Sequence, residues 1–194
     1  MKVEQNYFEH YLRQFFKYLN NFMLLLWRLG LGRFVNIWPE VIGQIMVITH
    51  TGRKTGLKRR TPVNYAIVDG ELYCVAGFGY ISDWYRNLRQ NPEVEVWLPQ
   101  GWWAGIAEDI TGTENWISLM RAVLIGGGFA TYLAGINPHK ITDEALERVA
   151  RNYRLLHIHR KEARTGLDGP GDLAWVWPLA TTLLLLQAFR RRRK

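Results

Sequence analysis

Five cationic side chains fall within eight positions of one segment, and this is where the chain is best equipped for chemistry. The segment, here called the cationic loop (residues 52–60), lies between two apolar runs that read as buried strands; its cations are Arg53, Lys54, Lys58, Arg59 and Arg60. Gly52 and Gly56 allow a tight turn with exposed N–H groups, and arginine adds a planar fork that matches phosphate or carboxylate. The pattern predicts an anion-binding loop, with a solvated basic turn as the alternative. The spacing of a P-loop is absent.

Further motifs follow downstream of this loop. They are, in order, Ala76-Gly77-Phe78-Gly79, Asp83-Trp84-Tyr85-Arg86-Asn87-Leu88 and Asn91-Pro92-Glu93-Val94. Together with the Gly-Arg-Lys-Thr-Gly run of the loop and a hairpin signal at Asp69-Gly70, they resemble the deazaflavin-dependent nitroreductase family. The resemblance covers residues 41 to 115 in recognisable order and continues more loosely to about 160. It implies a split β-barrel oxidoreductase that uses coenzyme F420.

The resemblance implies cofactor-binding roles for three groups of residues. The phosphate and polyglutamate tail would be held by Arg53, Lys54, Thr55 and Arg59, with Pro62 at the start of the next strand. The deazaflavin ring would face the backbone of Ala76, Gly77, Phe78 and Gly79, and the site would be closed by Trp84, Tyr85 and Asn87. No catalytic residue is assigned, because hydride transfer needs no acid–base pair from the protein.

Two departures from the family pattern affect this interpretation. The ring-facing segment reads Gly77-Phe78-Gly79-Tyr80, where family members have a Ser-x-Gly-Gly-like run followed by a longer loop. FMN is therefore an alternative cofactor, and a carrier or sensor without turnover is an alternative function. The resemblance implies quinone or nitroaromatic acceptors, with Tyr132 and Tyr153 as counterparts of the tyrosines that gate substrates.

The spacing of apolar residues predicts the elements that position these motifs. Three- and four-residue steps predict an amphipathic helix over residues 4 to 30. Short strands separated by turns such as Asp69-Gly70 predict a small barrel or sandwich. The predicted strands are 43–51, 60–68, 71–78, 93–99, 102–110 and 154–160, and the shorter predicted helices are 82–90, 113–124 and 142–152. With the resemblance, the expected fold is α+β, mainly β: a split β-barrel of the FMN-binding type with flanking helices and a C-terminal apolar helix.

Composition shifts divide the chain into four segments. They are an N-terminal amphipathic helix (1–35), the barrel domain (36–162), a Gly-rich linker (163–172) and an apolar segment with a basic tail (173–194). Residues 173–189 carry no charge, and a helix of that length reaches about 25 Å, less than the ~30 Å hydrocarbon core of a bilayer. We expect a shallow anchor on anionic lipid, or else a helix docked on the domain or on a partner subunit.

Charge and cysteine content indicate the partners and the compartment. The net charge of +8 is concentrated in the cationic loop and the tail at 190–194, which argues against a nucleic-acid partner. Cys74 is the only cysteine and is expected in the core. The N-terminus lacks a signal-peptide pattern, so we expect a cytoplasmic protein, peripheral on the inner face of the membrane. A small-molecule redox substrate and an anionic membrane surface are the expected partners, and the resemblance adds a homodimer.

His157 and His159 stand two residues apart on the predicted closing strand and so share one face. They could begin a metal site, but no Cys, third His or paired carboxylate stands at a ligand spacing nearby. The sequence therefore predicts no metal site. It also shows no Ser-His-Asp order, nucleophile elbow or Cys-His pair, so hydrolysis has no support.

Overall fold

The computed structural model describes residues 2–39 and 41–192, with the side chains of residues 2–13, 16 and 192 outside the description. The helices are α1 (Lys2–Arg28), α2 (Gly32–Val35), α3 (Asp83–Gln90), α4 (Trp116–Gly126), α5 (Phe129–Leu133), α6 (Asp143–Val149) and α7 (Val176–Arg192). The strands are β1 (Ile45–Thr51), β2 (Lys58–Val68), β3 (Glu71–Ala76), β4 (Glu93–Leu98), β5 (Gly101–Asp109) and β6 (Arg154–Ala163).

The six strands form a closed antiparallel barrel in the order β1-β2-β3-β6-β5-β4, completed by pairing of β1 with β4. This confirms the predicted barrel with flanking helices. The turn at Asp69-Gly70 is confirmed as well: Val68 pairs with Glu71 across it, and both turn residues have positive φ. Strand β2 begins two residues before its predicted start and β6 ends three residues after its predicted end, while α2 and α5 were not predicted.

Alternation along the strands separates the barrel interior from its covered outer faces. Met46 and Ile48 of β1 point inward with Cys74 of β3, which is fully buried as expected. On the outside, Val47 and Trp97 pack against Trp27 of α1. Helix α4 covers a second outer face, formed by β2, β3 and β6. The barrel thus has a packed interior and two covered outer faces.

The segment predicted as a linker is fastened to the domain at its end. Asp172 accepts hydrogen bonds from Arg28 of α1 at 3.0 Å and from Arg60 of β2 at 3.5 Å. The Trp177 indole N–H donates to the Leu29 carbonyl at 2.9 Å, so the start of α7 lies against the end of α1. The four-segment division of the chain stays a prediction. Among the described residues, no helix combines the length and apolar character needed to cross a bilayer.

Candidate cofactor site

The turn of the cationic loop is closed by its own backbone. Gly52 donates its N–H to the Leu57 carbonyl at 2.8 Å, and its carbonyl accepts from the Gly56 N–H at 2.8 Å. A Cβ atom at Gly52 would lie 2.9 Å from Arg59 Nε, so a larger residue would displace that side chain. The Thr55 hydroxyl accepts from the Leu57 N–H at 3.4 Å, inside the loop. Lys54 is exposed on this turn.

Arg53 is fixed in place by α3. The Asn87 carboxamide oxygen accepts from the Arg53 backbone N–H at 3.1 Å and from its guanidinium at 3.0 Å. Asp83 forms an ion pair with the same guanidinium at 2.8 Å, and this hydrogen bond lowers the pKa of the Asp83 carboxyl. The predicted loop and the predicted Trp-Tyr-x-Asn motif therefore meet at one point, with Arg53 held rather than freely mobile.

A buried histidine continues this network into the barrel. The other end of the Asn87 carboxamide lies 3.2 Å from His50 Nδ1, and His50 Nε2 lies 3.1 Å from the Thr61 hydroxyl. Since an amide nitrogen donates, Nδ1 is the acceptor and Nε2 carries the proton. Burial, followed by the positive charge of Arg59, lowers the pKa of His50 from 6.5 to about 4. His50 is therefore neutral at physiological pH and accepts a hydrogen bond from the Asn87 carboxamide.

A basic cavity of about 340 Å³ opens at Arg53; it is lined by Arg53, Arg86, Arg89 and Gln90. Asp83 lies 2.8 Å from Arg53 and 3.9 Å from Arg86, so this carboxylate is near two of the three guanidinium groups. The basic cavity consequently keeps an excess of positive charge. Arg86 and Arg89 were absent from the predicted site. Their three-residue spacing on the predicted helix, which places them on one helical face, is the signal that could have identified them.

Tyr80 connects the basic cavity to the end of β3. Its ring lies 5.4 Å from the Arg89 guanidinium and 4.1 Å from that of Arg154. It also packs edge-on against Tyr85 at 5.4 Å. Tyr80 thus brings the segment that follows β3 next to a cavity-lining arginine.

The four residues predicted to face a ring differ in their accessibility. Gly77 and Phe78 are exposed at the end of β3, and a Cβ at Gly77 would meet nothing within 4 Å. Gly79 is buried with φ +51°, and a Cβ there would lie 1.8 Å from the Asn152 carbonyl oxygen. Ala76 is only 1% exposed and belongs to the barrel core. Gly77 and Phe78 are therefore the part of this segment that a ligand can reach.

Three other predicted site residues lie in or against the protein core. Tyr85 is 1% exposed and donates its hydroxyl hydrogen to Asp109, and Trp84 packs partly buried against the same core. Pro62 is buried opposite Val47, on the outer barrel face that packs against α1. In this structure these residues support the barrel and α3.

A second cavity, of about 400 Å³, lies across β1, β4, β5 and β6. Glu95 projects there between two cations, with Lys58 Nζ at 3.2 Å and an Arg164 guanidinium nitrogen at 3.3 Å. Glu93, Lys161 and Glu162 also line it. Since its charges largely neutralise one another, it suits a polyanionic ligand less well than the basic cavity does.

Among the solved structures that resemble this chain are the following three. A conserved hypothetical protein from Mycobacterium tuberculosis is 21% identical, with 62% of this chain and 75% of that chain covered and a TM-score of 0.46. An F420-H2 dependent reductase is 22% identical, with coverages of 60% and 94% and a TM-score of 0.43. A haem storage protein from Vibrio cholerae is 12% identical, with coverages of 64% and 89% and a TM-score of 0.42. Because all three scores are below 0.5, these likenesses carry no argument about function.

The sequence match to a protein family is more informative. The family model described as F420H(2)-dependent quinone reductase matches residues 29–142, more than half of the 194-residue chain. The match spans the cationic loop, the end of β3 and α3, so it contains the basic cavity. The predicted resemblance to deazaflavin-dependent enzymes is thereby confirmed. The chain belongs to the F420H2-dependent quinone reductase family, a family of oxidoreductases whose cofactor is coenzyme F420.

Proposed function

We propose that the chain uses reduced F420 to reduce a quinone-like or nitroaromatic acceptor, and that it does so at a membrane surface. The observation that carries the first part is the basic cavity lined by three arginines, one of which, Arg89, lies over the ring of Tyr80 in the segment that follows β3. Family membership supports F420-dependent oxidoreduction. The class of acceptor and the location at a membrane are proposed in addition.

The residues of the basic cavity fit the anionic tail of F420. A phosphodiester and glutamate carboxylates are acceptors that the planar guanidinium fork matches. Arg86 and Arg89 would bind the tail directly, while Arg53, held by Asn87 and Asp83, would add a fixed positive charge. Lys54 is exposed on the same loop and would lengthen the basic surface. Thr55 and Arg59 stay proposed tail contacts on the resemblance alone.

The open side of Gly77 fits the flat ring of the cofactor. Because a Cβ there would meet nothing within 4 Å, the backbone can be approached closely from that side. When bound, reduced F420 supplies the hydride that reduces the acceptor. The chain's own residues would bind the tail and would orient the ring against the backbone of residues 77–78.

The exposed surface of α7 supports the membrane location. Leu183, Leu184, Leu185 and Leu186 are consecutive and each more than half exposed, so these leucines are exposed around a full helical turn. Helix α7 then continues into exposed Arg190 and Arg191, which precede the rest of the basic tail. An apolar helix that ends in a basic cluster suits insertion into the interface of an anionic membrane. A lipid-soluble quinone would be accessible from that position.

Turnover measurements would test the proposal. The full-length protein is mixed with reduced F420 and a water-soluble benzoquinone, and F420 oxidation is followed by the return of its absorbance and fluorescence. We expect saturable oxidation that depends on both enzyme and quinone. Saturable F420 binding without turnover of quinone or nitro acceptors would contradict the proposal and favour a carrier or sensor. A protein that purifies yellow and binds FMN in preference to F420 would replace the cofactor assignment.

A further inference from the structure

We propose that Glu71, His157 and His159, joined by Glu108, form a binding site for a divalent transition metal of the zinc class on the outer face of the barrel. The site is separate from the basic cavity and does not depend on the proposed function. Of these four residues, only the two histidines are close together in the sequence. The carboxylates come from neighbouring strands that are distant in the sequence.

The strand register places all four side chains on one face. Leu156 and Ile158 of β6 are buried in the core, so His157 and His159 point outward. His157 pairs with Tyr73 of β3 on one side and with Glu108 of β5 on the other. Directly opposed residues share a face, and Glu71 lies two residues before Tyr73 on that same outer face. Three strands therefore contribute ligands to one patch.

The distances bring Glu71, His157 and His159 within reach of a single ion, and Glu108 adjoins His159. His157 Nε2 lies 2.7 Å from a Glu71 carboxylate oxygen, and His159 Nε2 lies 2.7 Å from a Glu108 oxygen. The two imidazole rings are 3.8 Å apart between centroids. One ligand atom from each of Glu71, His157 and His159 lies within 4.8 Å of the other two. Ligands of a tetrahedral zinc ion are about 3.4 Å apart, so small side-chain rotations would suffice.

The donor set selects the class of metal. Two imidazole nitrogens with carboxylate oxygens suit Zn²⁺ and neighbouring transition metals, whereas Ca²⁺ and Mg²⁺ prefer oxygen ligands alone. The Tyr73 ring stacks on His157 at 4.7 Å and limits the orientations of that imidazole. His157 is also the most buried of the four, with 14% of its side chain exposed. A partly fixed central ligand with flexible carboxylates on either side suits reversible binding from solution.

Two separate His–Glu hydrogen bonds are the competing explanation. Two separate hydrogen bonds would not require the two imidazole rings to lie close together. A shared metal ion would require it, because it binds one nitrogen of each ring. Arg160 follows on β6, and its guanidinium donates to the carbonyl of Gly70, the residue before Glu71, so a cation lies beside the carboxylate end of the cluster without occupying a ligand position. Bound metal would connect β3, β5 and β6 and stabilise the folded barrel in proportion to its occupancy.

Metal titration of the untagged full-length protein would test this inference. After chelator treatment and dialysis, Zn²⁺ is titrated by calorimetry, and Co²⁺ is used as a spectroscopic probe of a low-symmetry nitrogen–oxygen site. We expect one ion per chain, with a rise in melting temperature. His159→Gln and Glu71→Gln should each weaken this binding by more than about tenfold. His139→Gln, an exposed histidine on another part of the surface, is the matched control and should bind as wild type does.

The circular dichroism spectrum and the melting temperature of each metal-free variant provide the check on folding. Loss of metal binding in a variant that is folded by both measures would support the site. Absence of a saturable one-to-one phase in wild type would overturn it. Equal Zn²⁺ affinity in wild type and His159→Gln would overturn it as well, because the metal would then be bound elsewhere.

Discussion

The side-chain carboxamide oxygen of Asn87 accepts two hydrogen bonds from Arg53, one from the Arg53 backbone N–H at 3.1 Å and one from the Arg53 guanidinium at 3.0 Å. The two residues are 34 positions apart, so this contact joins the cationic loop to α3. The nitrogen of the same Asn87 carboxamide hydrogen-bonds to buried His50. One carboxamide therefore sets the position of the basic cavity relative to the barrel interior.

Asn87→Ala tests whether this contact positions the cavity. The change leaves the Arg53 backbone N–H and the buried His50 Nδ1 without their partner, and we expect a loss of about 1–3 kcal/mol in the free energy of unfolding. F420 affinity should also fall, because Arg53 would be released. Urea unfolding and F420 fluorescence titration measure the two effects. Asn91→Ala, which removes only a local bond to the Glu93 N–H at 3.1 Å, should leave F420 affinity unchanged.

His50 predicts a pH dependence of stability. Its folded pKa of about 4 lies below the ordinary 6.5, so between these values the unfolded chain binds more protons than the folded one. The contribution of neutral His50 to the free energy of unfolding is complete above pH 6.5 and is lost as the pH falls toward 4. The slope that it adds to the free energy of unfolding is at most about 1.4 kcal/mol per pH unit. Urea unfolding from pH 4.5 to 7 should show a smaller slope for His50→Gln than for wild type.

Gly77 and Gly79 form a matched pair that separates ligand binding from folding. Gly79→Ala places a Cβ against the Asn152 carbonyl oxygen at positive φ, and should destabilise by more than the about 1–2 kcal/mol of the backbone strain alone. Gly77→Ala meets open space, so its melting temperature should match that of wild type. Its F420 affinity should nevertheless fall, because the methyl group would occupy the side that the ring approaches. Unchanged F420 affinity in Gly77→Ala would contradict the ring placement.

The basic end of α7 predicts binding to anionic membranes. Replacing Arg190 and Arg191 with glutamine removes two charges, and at about 1 kcal/mol each this should weaken binding about thirtyfold. Sedimentation with vesicles that contain phosphatidylserine measures the effect, and neutral vesicles serve as the comparison. Arg148→Gln with Arg151→Gln is a control of equal charge on another exposed part of the chain. Equal binding to neutral and anionic vesicles would contradict the electrostatic part of the anchor.

Local patterns in the sequence were sufficient to predict the six strands and most of the helices, but not the contacts between them. The hairpin at Asp69-Gly70 was predictable because its turn chemistry lies in two adjacent residues. The Arg53–Asn87 contact and the approach of Glu71 to His157, 86 residues away, depend on how the barrel closes. Closure pairs β1 with β4, and no local signal specifies that pairing.

Burial likewise separated residues that the motif had grouped. Tyr85 and Asn87 belong to one predicted run, yet Tyr85 packs in the core while Asn87 organises the cationic loop. Helical spacing decides this, because positions two apart on α3 point in different directions. The homodimer and the tyrosines proposed to gate substrates stay predictions.

We expect the basic cavity to bind the anionic tail of F420, and titration of the protein with oxidised F420, followed by fluorescence, tests this most directly. We predict saturable binding to wild type, weakened about tenfold or more by Arg86→Ala or Arg89→Ala because each removes a charged hydrogen-bond donor. Arg148→Ala, exposed on α6, should bind as wild type does. A deazaflavin chromophore without phosphate or glutamates should bind wild type and both cavity variants equally. Unchanged F420 affinity in the folded Arg86→Ala and Arg89→Ala proteins would contradict the claim.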